Sequence, residues 1–188
     1  MNMTFNDTYE IQSVIGRGGM STVYLAEHKR LHNRWAVKEV HKQQGVRFDF
    51  LAESNILKRL QHPMLPRIVD IFEDDTTICI VEDYVQGISL QDYIKRWHRI
   101  DEALGIQWLR DLCEVLDYLH TQKPHPIIYR DMKSANIMLQ EDGRLKLIDF
   151  GIAREYKQDS QGDTTYIGTK GYAAPEQFGK AQTDVRTD

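Results

Sequence analysis

The segment from Ile127 to Leu139 constrains this chain most, because it places polar residues on a loop between two apolar runs. Asp131 is followed by Lys133 two positions later and by Asn136 five positions later, and Asp149 comes eighteen residues after Asp131. Apolar runs of this length predict short buried strands, so the polar side chains project from a hydrophobic framework. This arrangement is typical of a loop that carries chemistry.

Two short strands are predicted directly after this loop. Residues 137–139 are apolar, residues 145–148 are apolar except for Lys146, and a glycine-containing turn separates the two runs. A hairpin of this kind brings Asn136 and Asp149 side by side. Two oxygen-bearing side chains on rigid elements suit a hard cation such as Mg²⁺, which takes few protein ligands. Asp131, close to that pair, is placed to accept a proton from a hydroxyl group.

These residues resemble the catalytic and metal-binding loops of protein kinases, whose pattern is HRDxKxxN followed by DFG. The resemblance extends from Tyr9 to Asp188 and points to the bacterial-type serine/threonine kinases. It implies that Asp131 deprotonates a substrate hydroxyl, that Lys133 offsets charge on the moving phosphoryl group, and that Asn136 and Asp149 hold Mg²⁺. The alternative is that all four are ordinary loop and turn residues.

A glycine-rich loop is predicted near the amino terminus, between a strand at 9–15 and a strand at 22–25. A plain hairpin turn or a Rossmann fingerprint is the alternative, but a Rossmann loop needs a helix where residues 22–25 favour a strand. In the kinase resemblance this loop covers ATP, with Ser21 in place of the usual third glycine. The resemblance assigns ATP contacts to Ile15, Gly16, Gly18, Gly19, Ser21, Val23, Ala36, Lys38, Asp83, Val85 and Met138.

Lys38 ends an apolar strand that starts at Trp35, and such a lysine is ordinarily a solvated charge. Fifteen residues later, Glu53 shares a helical spacing with Leu57 and Leu60, which places it on the buried face of a predicted helix. A buried carboxylate needs a cationic partner. The resemblance pairs Glu53 with Lys38, so that the lysine points at the α- and β-phosphates.

The segment from Glu82 to Gly87 resembles the kinase hinge, whose backbone binds adenine. This alignment puts Glu82 at the position behind the nucleotide pocket, where an apolar residue or threonine is usual. If the side chain points inward, it is expected to be protonated or paired. A shift of the alignment by one residue is the alternative.

Two helices are predicted between the hinge and the catalytic loop. Ser89 and Asp92 form a candidate capping box for a short helix, and Asp101 starts a longer one. Helical spacing predicts a core stripe on the longer helix. The predicted stripe consists of Ile106, Leu109, Cys113, Leu116 and Leu119. Both cysteines of the chain lie in apolar runs, so we expect buried free thiols.

The loop from Asp149 to Glu176 corresponds to the activation loop in the resemblance. Arg130 would dock a phosphorylated residue of this loop, with Thr165 the first candidate and Thr164 the second. Thr169, together with Lys133, points to serine and threonine substrates. Tyr129, which replaces the usual histidine, is expected to pack beneath Phe150.

The fold implied is an α+β, protein-kinase-like bilobal fold, with an antiparallel-sheet lobe over residues 1–83 and an incomplete, mostly helical lobe over 84–188. Residues 184–188 resemble the start of the central helix of the large lobe, in which Asp188 tethers the catalytic loop. Without the later helices we expect exposed apolar surface, and loss of the arginine that ordinarily pairs with Glu176.

The sequence therefore supports two alternative functional hypotheses. The first is a protein serine/threonine kinase that uses ATP and Mg²⁺, with autophosphorylation or self-association among its properties. The second is a truncated, poorly active kinase that binds a nucleotide or a partner. A small-molecule phosphotransferase is disfavoured by residues 169–176, which resemble a peptide-docking segment.

Charge and hydropathy exclude other classes. The 24 basic and 28 acidic residues give a net charge of −4, which disfavours a nucleic-acid binder because such proteins need a basic face. No leader or membrane segment is apparent, so a cytoplasmic protein is expected.

Overall fold

The structure is a computed structural model that describes residues 4–18, 21–42, 52–151, 153–156, 168–178 and 182–188, without the side chains of 52–54 and 154. The chain forms two compact units, Met1–Lys58 with Pro66–Val85, and Arg59–Leu65 with Gln86–Asp188. The change of unit after Val85 lies two residues beyond the predicted boundary. The second unit also includes residues 59–65, whereas the sequence predicts them as part of the antiparallel-sheet lobe.

An antiparallel sheet forms most of the first unit. Among the described residues its order is β1-β2-β3-β4-β6-β5, and one helix, α1 (Ala52–Leu57), precedes β5. The strands are rich in β-branched and aromatic residues, which favour a pleated surface. They are β1 (Thr4–Phe5), β2 (Tyr9–Arg17), β3 (Ser21–His28), β4 (Arg34–His41), β5 (Ile68–Glu73) and β6 (Thr77–Asp83). The strands predicted at 9–15, at 22–25 and from Trp35 to Lys38 are confirmed, and each is somewhat longer than expected.

The two faces of this sheet are chemically different, because side chains alternate along each strand. One face packs Tyr9, Val37 and Val81 into an apolar cluster, together with Cys79. Burial raises the pKa of the Cys79 thiol to about 12. The opposite face carries Ala36 and Lys38 of β4 together with Ile80 and Glu82 of β6.

The described part of the second unit combines two α-helices with short strands. Its helices are α2 (Leu90–Trp97) and α3 (Glu102–His120), and its strands are β7 (Ile88–Ser89), β8 (Ile127–Ile128), β9 (Ile137–Leu139), β10 (Leu145–Leu147) and β11 (Arg154–Glu155). The strands pair as β10-β9-β7 and as β11-β8. As predicted, Ser89 caps α2 and Asp101 caps α3. Among the described helices, none is long and apolar enough to cross a membrane.

The predicted core stripe of α3 is largely wrong. Trp108, Val115 and Leu119 are the buried residues of this helix, whereas Ile106 is 45% and Leu109 is 63% exposed. Cys113 is exposed as well, which corrects the expectation of a buried thiol. The helix carries two apolar stripes, and the ring of Tyr93 packs edge-on against Trp108, so the stripe with the tryptophan is the buried one.

Residues 59–65 belong to the second unit because its backbone and side chains bind them. The N–H of Gln61 donates to the Tyr118 hydroxyl at 2.8 Å. The N–H of Leu147 donates to the carbonyl of Met64 at 2.8 Å. The Lys146 ammonium donates to the carbonyl of Leu65 at 3.1 Å. All three contacts are long-range, which explains why the sequence pattern did not reveal them.

Candidate active site

The catalytic-loop candidate begins directly after β8 and is held by the carboxylate of Asp188. The Tyr129 N–H donates to Asp188 Oδ2 at 2.8 Å, and the Arg130 N–H donates to Asp188 Oδ1 at 2.6 Å. His120 Nε2 lies 2.9 Å from the same Oδ2, and the Asp188 side chain is fully buried. Arg130 has a positive φ of 66°, which is a strained backbone conformation. The two hydrogen bonds from Tyr129 and Arg130 to the Asp188 carboxylate, called the Asp188 clamp below, stabilise it. The predicted tether is confirmed.

Asp131 is the centre of a polar cluster in the second unit. Its Oδ2 accepts hydrogen bonds from Lys133 Nζ at 2.7 Å and from Asn136 Nδ2 at 2.8 Å. Its Oδ1 accepts a hydrogen bond from the Thr169 hydroxyl at 2.8 Å. The structure therefore brings together Asp131, Lys133 and Asn136, which the sequence predicted for one site, and places Thr169, which the sequence linked to substrate choice, beside them.

The Thr169 hydroxyl shows that this polar cluster can bind an alcohol group. Besides its bond to Asp131, it accepts a hydrogen bond from Lys133 Nζ at 2.9 Å. An alcohol oxygen is thus held between a carboxylate that can accept its proton and an ammonium that can offset negative charge near it. This is the geometry that a general base requires toward a hydroxyl nucleophile.

Asn136 and Asp149 lie at the same end of the β9–β10 hairpin. Leu147 is opposite Ile137 in this pair, and the Ile148 N–H donates to the Asn136 carbonyl at 2.9 Å. The predicted hairpin is confirmed, although β10 ends at Leu147 rather than at residue 148.

The oxygen donors of this pair fit a magnesium ion. Asn136 Nδ2 also donates to the Asp131 carbonyl at 3.1 Å, so its two bonds to Asp131 fix the amide and direct Oδ1 elsewhere. Asp149 is exposed and has a positive φ of 64°. An amide oxygen beside an exposed carboxylate is a donor set that Mg²⁺ accepts, with phosphate and water oxygens completing its shell.

Tyr129 packs against Phe150, as predicted. Their ring centroids are 4.9 Å apart at an interplanar angle of 69°, and both residues are buried. The Tyr129 hydroxyl donates to the Ile148 carbonyl at 2.5 Å. A phenol therefore links the catalytic-loop candidate to the segment that enters Asp149.

Sequence reasoning missed Gln177, which lies in a 3₁₀ helix (Pro175–Phe178). Its Nε2 donates to the Arg130 carbonyl at 3.0 Å, and its Oε1 accepts from the Ala174 N–H at 2.9 Å. Gln177 is buried, so it joins the 168–178 segment to the catalytic-loop candidate. A glutamine outside any pattern gave no local signal of this role.

Other predicted residues of this unit have mixed outcomes. Arg130 is buried. Thr164 and Thr165 lie outside the described residues, so the predicted phosphosites stay predictions. Glu176 accepts a hydrogen bond from the Thr187 hydroxyl at 2.7 Å.

Gly168 explains how closely the 168–178 segment packs. A Cβ added there would lie 2.7 Å from Ala173 Cβ and 2.9 Å from Gln177 Nε2, whereas one added at Gly171 would meet no atom within 4 Å. Both glycines have a positive φ. Gly168→Ala should therefore lower the free energy of unfolding by about 1–3 kcal/mol more than Gly171→Ala, because only the first adds crowding to backbone strain. Urea unfolding measures the difference, and equal losses would contradict the packing described.

The first unit brings several predicted nucleotide contacts onto one face of its sheet. Gly16 is opposite Val23, and Val23 is opposite Lys38. Ala36 lies on the same face, and both Ala36 and Lys38 are buried.

The other predicted nucleotide-binding residues differ in exposure and in position. Ile15 is exposed and lies at an irregularity of β2, and Val85 is buried. The Gly18 N–H donates to the Ser21 carbonyl at 2.8 Å, which closes the glycine-rich turn. The Asp83 carboxylate binds Arg67, so a nucleotide contact at Asp83 would use the backbone. Met138 lies in β9 of the second unit. Gly19 and the side chain of Glu53 lie outside the description, so the Lys38–Glu53 pair stays a prediction.

Comparison with known proteins gives a consistent result. The chain matches the Protein kinase domain family over residues 9–188. It is 34% identical over 194 residues to the serine/threonine-protein kinase PknB of Mycolicibacterium smegmatis, covering 97% of this chain and 31% of that protein. It is 33% identical to PknB of Mycobacterium tuberculosis strain H37Rv, covering 97% and 30%. It is 31% identical to the serine/threonine-protein kinase pkn2 of Myxococcus xanthus, covering 100% and 23%. The chain thus spans about a third or less of the length of these relatives.

Proposed function

This chain belongs to the protein kinase family, and from that premise we propose that its protein transfers the γ-phosphoryl group of ATP to serine and threonine hydroxyls of protein substrates. One observation carries the proposal. The Thr169 hydroxyl is held at 2.8 Å from Asp131 Oδ1 and at 2.9 Å from Lys133 Nζ. A substrate hydroxyl in the equivalent position would meet a base and a compensating cation at once.

In the proposed reaction, Asp131 orients the substrate hydroxyl and accepts its proton as the oxygen bonds to the γ-phosphorus. The bond from that phosphorus to the β–γ bridging oxygen breaks, and ADP leaves with the electron pair. Lys133 offsets the negative charge that spreads over the transferring oxygens. Asn136 donates to Asp131 and so keeps Oδ1 of the carboxylate directed toward the hydroxyl.

Asn136 and Asp149 are the residues that would hold Mg²⁺. When bound, the ion supplies positive charge that neutralises the phosphate oxygens. The exposed carboxylate of Asp149 and the fixed amide of Asn136 support this assignment. On the first unit, the shared face of Gly16, Val23 and Lys38 supports an ATP-binding role for that surface.

The proposed kinase function also includes regulation by phosphorylation and a preference for serine and threonine. Phosphorylation of Thr165, or of Thr164, would provide an anion for Arg130. The preference for serine and threonine is supported by the Lys133–Thr169 contact and by the serine/threonine kinase names of the relatives. Autophosphorylation is the simplest route to that modification.

A labelled-phosphate assay tests the function. The purified protein is incubated with γ-³²P-ATP, Mg²⁺ and a generic basic protein, and the labelled amino acids are separated after hydrolysis. We expect label on serine and threonine but not on tyrosine, and loss of labelling when Mg²⁺ is chelated. Label on tyrosine would contradict the substrate class, and absence of label despite nucleotide binding would favour the second candidate.

The second candidate is a module that binds a nucleotide or a partner with little turnover. The exposed apolar side chains of the second unit favour it, and they include Ile94, Trp97, Ile106 and Leu109. Self-association through these side chains would give a mass above 22.0 kDa per particle for this chain. Sedimentation of the protein with and without nucleotide measures that property independently of phosphoryl transfer.

A further inference from the structure

Glu82 places a carboxylate on the face of the first sheet that carries Lys38. In the register of β4 and β6, Ala36 is opposite Glu82, and Lys38 is opposite Ile80. Side chains alternate between the faces of a sheet. Glu82 and Lys38 therefore share one face as diagonal neighbours, on adjacent strands and two residues apart in register.

The cross-strand neighbours of this diagonal pair are apolar. Val23 lies opposite Lys38 on the other side of β4, and Ile68 lies opposite Glu82 on the other side of β6. Lys38 is 8% exposed, and Glu82 is half-buried. Charged groups in such surroundings gain strongly from an opposite charge. Diagonal neighbours about 7–8 Å apart are within reach of each other when both side chains are long.

We infer that Glu82 is a counter-ion of Lys38 and that it competes with nucleotide phosphates for the lysine ammonium. The part concerning phosphates rests on the proposed function. Glu53 is the partner that the kinase resemblance assigns to Lys38, and Glu82 is a second carboxylate in addition to it. A negative charge on this face repels a polyphosphate and partly satisfies the ammonium that would bind it. Glu82 therefore lowers the affinity for ATP and ADP.

The ion pair itself is tested without any nucleotide. Thermal unfolding is measured for the unmodified protein, Glu82→Gln, Lys38→Met and the double variant. If the side chains pair, the change in Tm of the double variant differs from the sum of the two single changes, because the second substitution no longer breaks the pair. Additive changes would overturn the inference.

The competition is tested with a series of ligands that differ in phosphate content. Calorimetry measures binding of ATP, ADP and adenosine to Glu82→Gln. We expect ATP and ADP to bind about three- to tenfold more tightly, a magnitude typical of one partly screened charge interaction, while adenosine binding stays unchanged. An equal change for adenosine would mean that the carboxylate acts on the base, which overturns the inference.

Glu39→Gln is the matched control. Glu39 follows Lys38 in β4, but its carboxylate accepts a hydrogen bond from the Tyr24 hydroxyl at 3.1 Å, on the opposite face of the sheet. The substitution removes the same charge and should leave the ATP-to-adenosine affinity ratio unchanged. Equal effects of both substitutions would overturn the inference. If the unmodified protein binds no nucleotide, the proposed function fails, and the nucleotide-free cycle alone decides whether the pair exists.

Discussion

Asp131→Asn lowers the rate of phosphoryl transfer to a protein substrate by about 10²- to 10⁴-fold, the loss expected when a general base is removed. The Asp131 carboxylate uses Oδ1 for the Thr169 hydroxyl and Oδ2 for Lys133 and Asn136. An amide nitrogen in place of either oxygen cannot accept a proton and would face a hydrogen-bond donor. Initial rates at saturating ATP measure the loss, and calorimetry checks that ATP still binds.

Asp142→Asn is the control for this experiment. Asp142 lies in the turn of the β9–β10 hairpin, where its carboxylate pairs with Arg144, and that pairing lowers the pKa of the carboxyl. The substitution removes the same charge from an exposed site and should change the transfer rate less than about threefold, as surface substitutions usually do. Transfer that survives Asp131→Asn at the control rate would refute the proposed role of Asp131.

The catalytic-loop candidate was predictable because its information is local. The spacing of Asp131, Lys133 and Asn136 places the three on one loop, and the apolar runs around Gly143 define the hairpin that carries Asn136 to Asp149. Strand alternation likewise places Ala36 and Lys38 on one face. These features depend on neighbours within about two dozen residues, so pattern and chemistry together suffice.

The buried face of α3 was not predictable in the same way. Periodicity shows that a helix has apolar stripes, but it does not decide between two of them. The stripe with Ile106 and Leu109 and the stripe with Trp108 and Val115 have similar spacing. Contact between Trp108 and Tyr93 of α2 distinguishes them, and that contact joins two elements whose packing the sequence pattern does not specify.

Gln177 and His120 show a second limit of sequence reasoning. Gln177 contacts the catalytic-loop candidate at the Arg130 carbonyl, and His120 contacts the Asp188 carboxylate that holds this loop. The contacts span 47 and 68 residues of chain. Neither residue type is diagnostic by itself, so only the tertiary structure identifies them as positioning residues.

Asp188→Ala should destabilise the second unit more than any surface substitution. The change leaves the N–H groups of Tyr129 and Arg130 without their acceptor in a buried site, and it removes the partner of His120. Each buried donor left unsatisfied costs about 1–3 kcal/mol. A combined loss of about 2–6 kcal/mol corresponds to a fall in Tm of roughly 4–24 °C. Differential scanning calorimetry measures it.

Asp184→Ala is the control that distinguishes loss of the Asp188 clamp from a general effect of removing a negative charge from residues 184–188. Asp184 caps the 3₁₀ helix at Val185–Thr187 and pairs with Arg186 on the surface, so its loss should cost about 1 kcal/mol, as for other caps. Because Arg130 keeps its strained backbone only while Asp188 holds it, the Asp188 variant should also lose transfer activity at temperatures where it is still folded. An Asp188→Ala protein that melts and transfers phosphate like the Asp184 variant would show that Tyr129 and Arg130 do not depend on this carboxylate for their position.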